Sequence, residues 1–120
     1  VDLVDGRYSV ESAGHPPVAH FDAGSGRWGL VDAHGIALGL LPDVLYVGSG
    51  GVLRPGDALL LYTDGLVETR DGDIDSDLQR LLEQVSAHRS DHGPQSLVDR
   101  LLMAPTNNHD DIAILAVQVL

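Results

Sequence analysis

Two largely apolar runs constrain this chain more than any other feature of its sequence. Ala58 to Thr63 and Ile112 to Val119 are far short of a membrane span. Both are too uniformly apolar for a strand with one wet face, so each predicts a β-strand covered on both sides. Each run has acid at one end: Asp64 follows directly on the first, and Asp110 and Asp111 directly precede the second. If the two strands are antiparallel neighbours, the end of the first lies beside the start of the second, and Asp64 comes close to Asp110.

The rest of the chain supplies the neighbours such strands need. Residues 7–13 alternate like a half-buried strand until Gly14-His15-Pro16-Pro17, where proline ends any regular ladder. Val18 to Phe21 and Trp28 to Val31 flank a Gly-rich polar loop and predict a hairpin. Residues 35–47 predict an irregular loop leading into a strand near Leu45 to Val47. Arg54-Pro55-Gly56-Asp57 has Pro and Gly where a type II turn requires them.

Two helices follow. Leu78, Leu81, Leu82 and Val85 share one helical face, with Asp75, Ser76 and Asp77 as cap candidates and first-turn acid. Pro94 opens a second helix bearing Leu97, Val98, Leu101 and Leu102, and Pro105 stops it. No repeat or linker interrupts the chain, so 1–120 is read as one α+β unit with helices packed on a sheet.

Composition narrows the chemistry. Eighteen acidic residues against seven basic ones give a formal net charge of −11. Such a surface repels phosphate backbones and anionic lipids, which argues against nucleic-acid or membrane partners. Every basic residue is arginine, and cysteine is absent. That removes disulfides, thiolate zinc sites and cysteine nucleophiles, and suits a cytoplasmic protein.

Carboxylates gathered at one sheet end repel unless a positive group lies between them. No arginine adjoins either acidic motif, so a hard cation is the natural candidate, and oxygen-only donors favour Mg²⁺ or Mn²⁺ over zinc. Ordinary turn chemistry explains each Asp separately and stands as the alternative. His15 is a peripheral candidate in its Gly-His-Pro-Pro turn. Asp71 to Asp77 imitates an EF-hand loop but has Ser76 at the sixth position and Leu82 at the twelfth, so it reads as a helix-capping acidic loop. Asp32-Ala33-His34 and Asp91-His92 lack any nucleophile elbow, which leaves nucleophilic catalysis unsupported.

Taken in order, Ser12-Ala13-Gly14-His15-Pro16-Pro17, Gly39-Leu40-Leu41-Pro42, Leu53-Arg54-Pro55-Gly56-Asp57, Leu61-Tyr62-Thr63-Asp64-Gly65-Leu66-Val67-Glu68 and His109-Asp110-Asp111-Ile112-Ala113 resemble the PP2C-type serine phosphatases of bacteria. More narrowly they resemble the SpoIIE/RsbU branch, and Glu68-Thr69-Arg70-Asp71 resembles actinobacterial members that carry sensor domains. The resemblance implies a β-sandwich flanked by helices with a binuclear Mn²⁺ or Mg²⁺ centre. It implies hydrolysis of phosphoserine on a regulatory protein such as an anti-sigma-factor antagonist, in stress signalling by partner switching. It assigns the metal set to Asp64, Asp110 and Asp110's neighbour Asp111, makes His15 peripheral, and makes Gly65 the residue that lets the chain turn behind Asp64.

One departure matters. The family's upstream Asp-x-x-Gly-His-Gly signature does not occur in this chain. The start, Val1-Asp2-Leu3-Val4-Asp5, has neither an initiator Met nor a leader pattern. The expectation is therefore the C-terminal portion of a longer phosphatase domain, inactive by itself, binding metal weakly or not at all, and able to pair through exposed strand edges. The competing reading is a non-catalytic regulatory or binding module with a PP2C-like fold.

Overall fold

The computed structural model describes residues 1–69, 72–88, 92–104 and 110–120. Arg70, Asp71, Asp91, Pro105 and His109, which the sequence reading used, lie outside the described residues. The architecture is α+β. Four antiparallel strands, β1 (Arg7–Val10), β2 (Ala19–Asp22), β3 (Arg27–Leu30) and β4 (Ser49–Val52), precede β5 (Ala58–Tyr62), then α1 (Ile74–Ser86), α2 (Gly93–Met103) and β6 (Ile114–Gln118). One sheet runs β3-β2-β5-β6 and a second pairs β1 with β4.

The predicted hairpin is β2–β3, in register Ala19↔Leu30 to Asp22↔Arg27. Its loop is held by Asp22, whose carboxylate accepts Gly24 N–H at 2.9 Å and Ser25 Oγ at 2.8 Å. The type II turn is present, with Asp57 N–H donating to Arg54 carbonyl at 2.9 Å and Gly56 at φ +92°. Buried Asp57 accepts Arg54 N–H at 2.9 Å and Ala23 N–H at 2.8 Å, which locks that turn to the hairpin loop.

The core lies between the four-stranded sheet and the helices. Ala19, Leu60 and Tyr62 meet Leu78, Leu81 and Val85 of α1 and Leu97 and Leu101 of α2, with Val67 between. The helical spacing read from sequence is thus the buried face. The cap differs from expectation: Asp73, one residue before the helix, accepts Ser76 N–H at 3.0 Å, while Asp75 and Asp77 supply the acidic first turn.

Two strand expectations are corrected. Leu45 to Val47 forms no strand; Val47 makes only an isolated bridge to His34, and Leu45 is exposed. The strand is Ser49–Val52 instead, because it pairs with β1 at very close range. A Cβ at Gly50 would stand 2.5 Å from Tyr8 carbonyl oxygen, so glycine content, not apolar side chains, selects the segment.

The two apolar runs are covered unequally: on the helix face Ala58, Leu60 and Tyr62 of β5 are buried, while Ile114 and Ala116 of β6 are half-buried. On the face away from the helices, Leu59 is buried, but Leu61 is 38% and Leu115 57% exposed. The β1–β4 ribbon packs on this face where Tyr8 meets His20, whose strand partner is Leu59. Beyond it lies an open trough of about 360 Å³, bounded by Val10, His15, Pro16, Leu61, Thr63 and Leu115.

Candidate metal centre

β5 and β6 are antiparallel neighbours, with Tyr62 opposite Ile114. Both acidic motifs therefore reach the same end of the sheet. Asp64 opens a short 3₁₀ turn, Asp64–Leu66, immediately after β5. Asp110 and Asp111 lead into β6 from the other side.

Gly65 is the point of contact between them. An ideal Cβ there would lie 2.5 Å from Asp111 carbonyl oxygen and 3.1 Å from that of Asp110. The chain does turn at Gly65, within the 3₁₀ turn Asp64–Leu66. Gly65 does not occupy the left-handed region that Gly6, Gly14 and Gly56 adopt; what it provides is absence of bulk.

Thr63 completes the junction. Its amide donates to Ala113 carbonyl at 3.1 Å, its Oγ1 accepts Ala113 N–H at 2.9 Å, and its hydroxyl donates to Asp111 carbonyl at 3.0 Å. Sequence reasoning missed this residue, although Thr ahead of Asp-Gly at a strand end was the available signal. It also missed Tyr62, whose buried hydroxyl donates to Pro17 carbonyl at 2.7 Å. That bond ties the Gly14-His15-Pro16-Pro17 turn to the same strand end. Burial pushes the Tyr62 phenol up to about 12, so it remains a donor.

Asp64, Asp110 and Asp111 are exposed at this end, and Gly65 is buried beneath them. Turn chemistry is present as well: Asp64 accepts Gly65 N–H at 2.9 Å and Asp110 accepts Asp111 N–H at 3.0 Å. Each motif spends one carboxylate oxygen locally. His15 is exposed along the trough. Among the described residues no three His, Asp or Glu side chains form a group able to hold a metal ion. The donors match a hard cation in kind but fall short in number.

The remaining candidates are occupied otherwise. Asp73 caps α1, and Asp77 is an internal staple: it accepts Thr69 N–H at 3.0 Å and Thr69 Oγ1 at 3.1 Å and bonds the Arg80 guanidinium. The Asp32–His34 contact at 3.2 Å is a surface pair with both side chains exposed.

Asp77 fixes the segment leaving the Asp64 turn onto α1. Chiefly through the Thr69 amide, and with help from Arg80, its carboxyl is held below the ordinary value of 3.8. A carboxyl depressed in the fold stabilises it above the unfolded value, and that contribution is lost as pH falls through the folded one. Asp77→Asn is expected to lower the melting temperature at neutral pH, with the gap to wild type closing in acid. Thermal denaturation across the acid range checks this; a gap independent of pH would contradict it.

The family model for stage II sporulation protein E, SpoIIE, matches residues 1–120. The chain belongs to the SpoIIE family. It is 27% identical over 116 residues to phosphoserine phosphatase RsbU of Bacillus subtilis, an alignment covering 93% of this chain and 35% of RsbU. It superimposes on the RsbU and RsbW domains of Rv1364c from Mycobacterium tuberculosis with a TM-score of 0.81 at 28% identity, covering 98% of this chain and 34% of that one. The manganese-presoaked phosphatase domain of the cell-fate determinant SpoIIE from Bacillus subtilis shares the fold, with a TM-score of 0.71 at 19% identity over 99% of this chain and 53% of that one. The SpoIIE-family chain thus has the PP2C-like α+β fold in part, spanning about a third of RsbU's length.

Proposed function

We propose that residues 1–120 are the C-terminal portion of a metal-dependent protein serine phosphatase domain acting on phosphoserine in a regulatory protein such as an anti-sigma-factor antagonist. The observation that carries this reading is the packing of Asp64-Gly65 directly against Asp110-Asp111 at one sheet end. In it, Asp64 and Asp110 are carboxylate ligands for Mn²⁺ or Mg²⁺, Asp111 is their neighbour, and His15 borders the site from the trough. A bound ion pair would supply an activated water and neutralise phosphoryl charge. This chain's own part is to present the two acidic turns at fixed separation and to flank them with an apolar trough that can seat a protein segment.

The missing donors belong, in this reading, to an Asp-x-x-Gly-His-Gly segment that the 120 residues do not contain. The chain alone is then inactive and binds metal weakly. The parent protein acts in the cytoplasm, under sensor domains and in stress signalling. Among the described residues no helix is long and apolar enough to cross a membrane. β3 and β6, the edges of the four-stranded sheet, are where strand pairing between copies would occur.

A second reading, a binding module that keeps the fold without the chemistry, draws on the same shortage of donors. Phosphate release from a phosphoserine protein in the presence of Mn²⁺ separates the two. A longer chain that includes an upstream Asp-x-x-Gly-His-Gly segment is expected to hydrolyse it, and Asp64→Asn in that chain to lose more than about a hundredfold in rate. Unchanged hydrolysis in the Asn variant would sink the phosphatase reading.

A further inference from the structure

We infer that Thr63 is a positioning residue whose hydroxyl sets the spacing between the two acidic turns. The inference rests on the proposed metal role of Asp64 and Asp110. At the pair Thr63/Ala113 an ordinary ladder would have the Thr63 carbonyl accept Ala113 N–H. Here that carbonyl accepts Leu66 N–H at 3.0 Å instead, which opens the 3₁₀ turn bearing Asp64. The side chain takes over the vacated place: Oγ1 accepts Ala113 N–H at 2.9 Å, and the hydroxyl proton goes to Asp111 carbonyl at 3.0 Å.

One hydroxyl therefore lets β5 leave the ladder into a turn without orphaning the Ala113 amide, and it grips the carbonyl of the Asp110-Asp111 segment. That carbonyl is the same atom against which Gly65 packs. Asp64 and Asp110 are consequently referred to one another through Thr63 and Gly65, the first by hydrogen bonds and the second by contact. Valine matches threonine in shape but can neither donate nor accept. Serine keeps the hydroxyl.

Two readouts on the 120-residue chain test this, with Mn²⁺ as the probe. In metal-free protein, Thr63→Val should speed hydrogen exchange of the Ala113 amide by about tenfold, and Thr63→Ser should restore protection. The Mn²⁺ concentration that half-broadens the Gly65 and Asp111 amide resonances should rise about tenfold in the Val variant and return in the Ser variant. Thr63→Ala gives the same test should valine disturb folding. Ala113 protection and Mn²⁺ response within twofold of wild type in the Val or Ala variant would overturn the inference. Asp64→Asn separates the metal role of Asp64 from the positioning role of Thr63. If it leaves Mn²⁺ broadening intact, the metal reading fails while the exchange result still judges Thr63. If it abolishes broadening and Thr63→Val does not weaken it, Thr63 is not a positioning residue and the metal reading stands.

Discussion

Replacing Gly65 with alanine is expected to destabilise the chain by about 3 kcal/mol, at the upper end of the usual cost of overpacking. The reason is the identity of the atoms in the way. The added methyl would meet Asp111 carbonyl oxygen at 2.5 Å and the Asp110 carbonyl oxygen and Asp111 carbonyl carbon at 3.1 Å, all of them backbone. No flexible side chain can step aside, so one acidic turn must move from the other, and the Thr63 bonds to Asp111 and Ala113 stretch with it. Thermal or urea denaturation measures the loss, which corresponds to a fall of roughly ten degrees or more in Tm for a domain of this size. Gly29→Ala is the control. It lies in β3 rather than in a turn, and nothing lies within 4 Å of where its Cβ would stand, so it is expected to be neutral or slightly stabilising. A Gly65 variant as stable as the Gly29 variant would contradict the close junction.

Much of this junction was legible in the sequence. The apolar runs Ala58 to Thr63 and Ile112 to Val119 read as strands of one sheet, and their acidic ends meet once the strands pair antiparallel. Helix α1 was legible because Leu78, Leu81 and Val85 repeat at helical spacing and are buried together. What remained hidden depends on backbone meeting backbone. β4 is a strand because Gly50 allows β1 to approach, whereas among the described residues the apolar Leu45 to Val47 makes only the single Val47–His34 bridge. Gly65 reads in sequence as a turn glycine, and only the position of the Asp111 carbonyl shows that size is the constraint. The double use of Thr63 cannot be read from composition at all, since it depends on a carbonyl being diverted into a 3₁₀ turn. Leu61 and Leu115 read as buried, and their exposure reflects how little of that sheet face the β1–β4 ribbon spans.

The same geometry predicts how the chain meets a cation. Asp64 and Asp110 supply oxygen donors from two turns, and the described residues add no third ligand to make a closed group. Affinity for hard cations follows the number and charge of such donors, so a half set should bind at about millimolar concentration, as the weakest natural Ca²⁺ sites do. Binding should still be local, because the two turns are already in contact through Gly65. Asp64→Asn removes one of the three carboxylate charges at the junction and leaves donors on the β6 side only, so site-selective binding is expected to disappear. Asp75→Asn, on the first turn of α1 and outside the junction, should leave binding unchanged.

Titration of the isotopically labelled chain with Mn²⁺, followed by paramagnetic broadening of its amide resonances, shows whether the two acidic turns form one cation site. Gly65, Asp110 and Asp111 are expected to broaden first and together, at about millimolar metal, and Asp64→Asn to abolish the selectivity. Broadening that begins elsewhere on the acidic surface, or that survives Asp64→Asn unchanged, would contradict it.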